Sequence, residues 1–278
     1  MIGRPGPSFT DMPPPADHQS EPRPDSILVQ LSDLHLRCGE QGSGPAHRLQ
    51  RVLDAVAELE PRPDALLVSG DLVDAPSEEA YDEALRMLRG SGLPVHAICG
   101  NHDDRDMLRA RFGPGPAPEG SPVNLAVDCG ALRLIGLDTI LPGSDAGALA
   151  RGQLQWLEET LAAGAGRPTL LALHHPPVDC GVRVMDAIGL AHEDRAALEV
   201  LLKRHPEVMS LTCGHVHTAM LATFAARPVL ICPSTNSAVR LDLRPLEGLA
   251  FAVAERPVGF AVHALLGGRL VSHIQAVS

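Results

Sequence analysis

Strand-length apolar runs that alternate with amphipathic helical stretches limit this chain to one broad class of fold. The runs fall at 27–31 (ILVQL), 65–68 (ALLV), 95–99 (VHAIC), 132–137 (LRLIGL), 169–173 (TLLAL), 208–213 (VMSLTC) and 229–232 (VLIC). Several are nearly continuous, as expected for strands buried on both faces. Between them the spacing predicts helices over 46–59, 77–90, 152–163 and 193–204. Ser77, followed by Glu79 and Tyr81, marks one helix start, and Gly90 and Gly92 mark its end. Such alternation implies an α/β fold of βαβ units with a largely parallel sheet. Beyond residue 218 the texture changes, and runs at 249–254 and 258–266 joined by Pro/Gly turns predict a β-rich closing segment over 219–278.

The bulk properties agree. A chain of 278 residues fits one α/β unit, expected over 26–278, and 45% hydrophobic content supports a sizeable core. Aromatic residues supply only 3%, so aliphatic side chains and alanine must fill it. The formal charge of −11 argues against a nucleic-acid polymer or an anionic membrane as partner. Six cysteines (38, 99, 129, 180, 213, 232) show no CxxC or regular spacing. They read as reduced, mostly buried thiols, which favours the cytoplasm. No 18-residue apolar run or signal-peptide core is present. Residues 1–25 are rich in Pro, Gly and charge and read as a disordered tail.

Functional groups in open α/β sheets gather where strands end. Here five apolar runs lead into short polar signatures. They are SDLH (Asp33, His35), SGD (Asp71), GNHD (Asn101, His102, Asp103), HHPP (His174, His175) and GHVH (His215, His217). In Asp33-x-His35 and His215-x-His217 the i, i+2 spacing puts both side chains on one face if the segment stays extended. Carboxylate, imidazole and amide donors without thiolates suit Mn, Fe(II), Zn or Co, and argue against a structural zinc. Seven donors exceed what one ion would use, so a carboxylate such as Asp71 can bridge two. Two ions roughly 3.5–4 Å apart clamp a phosphoryl group and supply hydroxide for in-line attack. A single DxH or GD proves little; their ordered recurrence at five strand ends carries the reading.

In this order the blocks D-x-H, G-D, G-N-H-[D/E], H and G-H-x-H resemble the calcineurin-like metallophosphoesterase superfamily, across residues 33–217. The resemblance implies a four-layer α/β-β/α sandwich with a dinuclear site at its strand ends. It assigns Asp33, His35, Asp71 and His217 to one ion, and Asp71, Asn101, His174 and His215 to the other. Asp71 bridges, beside a bridging hydroxide. His102 stays off the ions and assists departure of the alkoxide. Asn101 then offers a neutral oxygen, which leaves its ion more positive charge for phosphate, and its place at the turn aims His102. The pattern of strand, His, x, Pro favours His174 as the donor and leaves His175 to support it or to contact substrate.

GDLVDAP lacks the arginine of the protein serine/threonine phosphatases. Tyr81 falls in a predicted helix, away from the tyrosine ligand of purple acid phosphatases. SDLHL, GNHDDR, GQLQWLEETLA and LALHHPPVDCGVRVMDAIGL resemble the class III cyclic nucleotide phosphodiesterase and glycerophosphodiesterase branch. That branch implies hydrolysis of a small phosphodiester, a 3′,5′-cyclic nucleotide such as cAMP or a glycerophosphodiester, and a homo-oligomer. Phosphomonoesters and phosphonate esters are an alternative substrate class. The contrasting class is a non-catalytic scaffold of the same fold, but such scaffolds lose donors and none of the seven is lost here. Met185, Asp186 and Asn236 are candidate substrate contacts, Asn236 because PSTNSAV departs from a block where relatives often carry histidine. Arg37 and the remaining histidines, including His96 and His263, read as surface or packing residues.

Overall fold

The computed structural model describes residues 23–37, 39, 44–244, 252–254 and 258–277. Most of the expected tail, residues 1–22, lies outside the described residues, as does part of the run at 249–254. The end of that tail is ordered: the Asp25 N–H donates to the Leu265 carbonyl at 2.8 Å.

The elements follow the order β1 (Ser26–Leu31), α1 (Pro45–Ala57), β2 (Ala65–Ser69), α2 (Glu78–Gly90), β3 (Val95–Ile98), α3 (Arg105–Phe112), β4 (Leu125–Cys129), β5 (Leu132–Leu137), α4 (Arg151–Ala163) and β6 (Thr169–Leu173). They continue with α5 (Arg183–Ala187), α6 (His192–Leu202), β7 (Val208–Cys213), β8 (Met220–Phe224), β9 (Arg227–Ile231), β10 (Ala238–Val239), β11 (Val253–Ala254), β12 (Val258–Leu266) and β13 (Arg269–Val277). Ser77 caps α2 as its sequence position predicts, accepting the Ala80 N–H.

Two mixed sheets form, where strand–helix alternation alone predicts one largely parallel sheet. The first runs β13-β12-β1-β2-β3 and the second β4-β5-β6-β7-β9-β8. The β1–β2–β3 and β5–β6–β7–β9 pairings are parallel, whereas β4, β8, β12 and β13 each pair antiparallel with their neighbours. Period-2 alternation sends Leu28 to one face of β1 and Val29 and Leu31 to the other. Leu28, Leu67 and Ile98 meet Leu132, Leu134, Leu170 and Ala172 between the sheets. Val29 and Leu31 join Leu49, Val52, Tyr81 and Leu88 beneath α1 and α2. Across the second sheet, Ile135, Leu171 and Leu211 pack with Leu157, Leu161, Leu198 and Leu202 of α4 and α6. The result is the four-layer α/β-β/α sandwich.

The closing segment is β-rich as expected, and β12 returns to pair antiparallel with β1. Strands β4 and β8 escape the sequence reading because edge strands alternate buried and exposed residues instead of forming apolar runs. Helix α3 escapes it because RDMLRARF buries only Leu108.

Candidate metal centre

Five parallel strands deliver the polar signatures to one end of the sandwich. β1, β2 and β3 of the first sheet bring Asp33, His35, Asp71, Asn101 and His102. From the second sheet, β6 and β7 bring His174, His215 and His217. The loops are tied to each other by backbone: the Asp33 N–H donates to Gly70 O (3.1 Å), His35 N–H to Asp71 O (2.9 Å), and Gly214 N–H to His174 O (3.1 Å).

Local conformation departs from the extended one expected for the DxH and HxH pairs. Asp33, His35, Asp71, His215 and His217 all have positive φ, between 45° and 70°. Each non-glycine residue held there costs of order 1–3 kcal/mol, a strain that gathers at functional sites. The side chains therefore converge through left-handed turns, not through strand alternation. The neighbouring glycines are required by proximity. A Cβ on Gly70 would stand 2.3 Å from His174 Nδ1, and one on Gly100 would stand 2.2 Å from Asp71 Oδ1.

The donors fall into two groups that share Asp71. Donor atoms of Asp33, His35, Asp71 and His217 lie within 4.8 Å of one another. His35 Nε2 faces His217 Nε2 at 3.1 Å, and His217 Nε2 is 3.4 Å from Asp33 Oδ1. In the second group Asn101 Oδ1 is 3.0 Å from His174 Nε2 and 3.1 Å from His215 Nδ1. Asp71 Oδ2 stands 3.5 Å from both His35 Nε2 and His174 Nε2, between the groups. His174 Nδ1 donates to Ser69 O (2.9 Å), which leaves Nε2 as the lone-pair nitrogen turned toward Asn101.

The electrostatics of this cluster call for a cation. Asp33, Asp71, His174 and His215 are all buried. Burial alone would raise the Asp71 pKa, but His174, His35 and His102 hold the carboxylate well below its usual range. Burial would likewise lower His174, yet Asp71 and Asp33 push it up to about 9. Burial pushes His35 and His215 down toward the neutral imidazole, while the two carboxylates draw positive charge onto His174, a setting that suits a divalent ion. His35 Nδ1 and His215 Nε2 are buried without a hydrogen-bond partner. Grouped on either side of Asp71, the seven donors fit two divalent ions.

His102 stands at the edge of this cluster. Its N–H donates to Asp71 Oδ1 and its Nδ1 to the Asp74 carbonyl, both at 2.9 Å, so Nε2 is left for the cleft. The cleft has a volume of about 280 Å³, and Met185, Ile188, Val239, Val253, Asn236 and Arg37 line it together with the donors. Arg37, expected to face solvent, is half exposed, lines this cleft and pairs with Asp74 at 3.0 Å.

Two expected substrate contacts lie elsewhere. His175 is fully buried; its Nε2 donates to Asp145 O (3.1 Å) and its Nδ1 accepts from the Thr139 hydroxyl (2.7 Å). Both ring nitrogens are therefore spoken for, although they approach His174 and His215 closely. Asp186 does not line the cleft: its carboxylate accepts from Cys180 N (2.7 Å) and Gly181 N (3.1 Å), folding the loop that presents Met185. Conversely, the sequence places Asp103 in GNHD and Tyr81 in a helix but assigns neither a role at the site. Asp103 accepts from Gly100 N (2.9 Å), Leu72 N (3.2 Å) and the Tyr81 hydroxyl (2.9 Å), locking the GD and GNH loops together. The one visible signal was an aspartate immediately after GNH.

Two carboxylates, four imidazoles and an amide divided around a shared aspartate, on an α/β-β/α sandwich, define a dinuclear metallohydrolase. The chain belongs to the calcineurin-like phosphoesterase family, which residues 28–219 match. It is a metal-dependent hydrolase whose cofactor is a pair of divalent ions. A cAMP/cGMP dual specificity phosphodiesterase of Mycobacterium tuberculosis is 38% identical over 227 residues, which span 77% of this chain and 69% of that protein. A probable glycerophosphodiester phosphodiesterase of Arcobacter nitrofigilis is 31% identical over 223 residues, 78% of this chain and 81% of its own. Among solved structures, a dimetal phosphatase from Danio rerio shares the fold with a TM-score of 0.66 at 16% identity, covering 92% of this chain and 98% of that one. Among the described residues no helix is long and apolar enough to cross a membrane.

Proposed function

We propose that this phosphodiesterase hydrolyses 3′,5′-cyclic nucleotides. The observation that carries the choice is the apolar lining that Met185, Ile188, Val239 and Val253 add to the cleft that the donors also line. A nucleobase covers such a lining with apolar surface removed from water, whereas a glycerol head group leaves it wet. Relatives named for cyclic nucleotides and for glycerophosphodiesters both occur at 31–38% identity, and the apolar lining supports the nucleotide reading.

Asp33, His35, Asp71 and His217 would hold one ion, and Asp71, Asn101, His174 and His215 the other. When bound, the ions supply a hydroxide at neutral pH and neutralise the phosphoryl charge. His102, fixed by the Asp74 carbonyl at Nδ1, carries a proton on Nε2 to the departing alkoxide oxygen. Met185 packs against the base. The metals fitting this set are Mn, Fe, Zn or Co. The five described cysteines are free thiols, four of them buried, which supports work in a reducing cytoplasm. The working unit is one catalytic domain over 26–278, assembled as a homo-oligomer.

The test compares kcat/KM of Mn(II)-loaded protein for 3′,5′-cAMP and for glycerophosphoethanolamine. The expected result is a preference for cAMP of about tenfold or more, roughly 1.4 kcal/mol in transition-state binding. The opposite preference would assign a glycerophosphodiesterase, and faster turnover of phosphomonoesters than of either would move the enzyme to that class.

A further inference from the structure

Asn236 is held at its side chain by a residue far away in the chain. Its Oδ1 accepts from both Nε (3.1 Å) and Nη2 (2.7 Å) of Arg48, in the first turn of α1. A guanidinium only donates, so the orientation of the amide is settled: oxygen toward Arg48, NH₂ away from it. Asn236 lines the cleft, and its NH₂ makes no hydrogen bond to any described residue. The backbone is fixed as firmly. Ser234 Oγ accepts from Asn236 N (2.9 Å) and Ser237 N (3.1 Å) and donates to Asp33 O at 2.8 Å. Ser237 in turn places its hydroxyl 3.4 Å from His217 Nδ1. The amide therefore lines the same cleft as His35 and His217, on a loop anchored to the one that carries Asp33.

From this geometry we infer that Asn236 is a substrate-binding residue, donating its NH₂ to an oxygen of the phosphodiester group, and that Arg48 is the positioning residue that fixes its donor face. The inference deepens the proposed function but rests only on the reacting group being a phosphodiester, whatever alcohol it carries. Two consequences follow from chemistry. An amide cannot give up a proton to a leaving group, so Asn236 contributes binding while proton transfer stays with His102. Without Arg48 the amide is free to rotate, and half its orientations turn an oxygen lone pair toward an anionic phosphate.

The test uses the Mn(II)-loaded full chain with inorganic phosphate as calorimetric probe and bis(p-nitrophenyl) phosphate as a generic diester. Asn236→Ala is expected to weaken phosphate binding about tenfold, the size of one hydrogen bond to a charged group. KM for the generic diester should rise by a similar factor, with the pH profile of kcat unmoved. Arg48→Met keeps the packed stem and removes the fork. It should weaken phosphate several-fold alone and add nothing in the Asn236→Ala background. Arg48→Lys, which cannot fork onto one oxygen, should recover only part of the loss. Unchanged phosphate affinity in Asn236→Ala overturns the substrate contact. A further loss from Arg48→Met in the double variant overturns the positioning role, since Arg48 would then act on phosphate directly. Failure of the wild type on cAMP would leave both readouts intact and count only against the nucleotide reading.

Discussion

Tyr81 is fully buried, and its hydroxyl both donates to Asp103 Oδ1 (2.9 Å) and accepts the Asp104 N–H (2.8 Å). Asp103 in turn collects the amides of the two loops that carry Asp71 and Asn101. Removing the hydroxyl strips Asp104 N–H of its acceptor and Asp103 of one donor, so Tyr81→Phe should cost about 1–3 kcal/mol of stability. If the pair also aims the donors, affinity for Mn(II) should fall by about tenfold or more. Urea unfolding of the metal-free protein and calorimetric titration with Mn(II) separate the two effects. A loss of stability with unchanged metal affinity would reduce Tyr81 to core packing. At this scale the seven candidate donors were legible because each lies within four residues after the end of an apolar strand. The residues that brace them were not. Tyr81 could be placed in a helix and excluded as a ligand, but its partner Asp103 stands 22 positions away. The Arg48–Asn236 contact spans 188 positions. Nor does any residue type announce that Asp33 or His215 will take a positive φ.

Strands and helices were legible from their periods, but pairing was not, because alternation names the buried face and not the neighbour. Residue 263 shows what the pairing does. His263 of β12 is fully buried, donates from Nε2 to Gln30 Oε1 of β1 (3.0 Å), and accepts at Nδ1 from Ser272 of β13 (2.8 Å). Gln30 continues the chain across the sandwich. Its Nε2 donates to Ser69 Oγ (2.7 Å) and to Cys213 O (3.1 Å), while the Thr212 hydroxyl donates to its Oε1. This polar thread joins the two sheets directly behind the donor loops, which explains a glutamine inside the run ILVQL. Burial drives the His263 pKa down to about 4 from its ordinary 6.5. Above pH 6.5 the ring is neutral in both folded and unfolded chains and contributes no pH dependence. Between pH 6.5 and 4 the unfolded chain takes up a proton that the folded one refuses. Stability therefore falls as pH falls, by about 1.4 kcal/mol per unit from this group. The variant His263→Gln should flatten that slope between pH 6.5 and 4 in urea-unfolding series, even if it lowers stability overall. An unchanged slope would mean that the ring is not held neutral.

The whole molecule places its donors on two separate sheets. Asp33, His35, Asp71 and Asn101 follow strands of the first, and His174, His215 and His217 follow strands of the second. Hydrophobic contact through residues such as Leu28, Leu134 and Leu170 holds the sheets face to face as far as Ile98 at the end of β3, and the polar loops begin beyond it. There the chain concentrates buried carboxylates, imidazoles and left-handed backbone, an arrangement that is costly without a cation. Ions held by these residues from both sheets would act as a clamp on the sandwich as well as a cofactor. Ligands that bind only the folded state stabilise it by mass action, about 4 kcal/mol at a thousandfold excess over Kd. Chelation should accordingly lower Tm, abolish hydrolysis, and raise amide exchange at residues 33–36, 71–74, 100–103 and 214–217, where both sheets meet the site. The remote edge strand β13, which carries no donor, should exchange as before. Restoring Mn(II) should reverse all three. A uniform rise in exchange across both sheets would instead mean that the ions stabilise the fold only globally. An unchanged Tm would mean that hydrophobic packing alone fixes the distance between the two halves of the site, and that the strained loops are held without help from the metal.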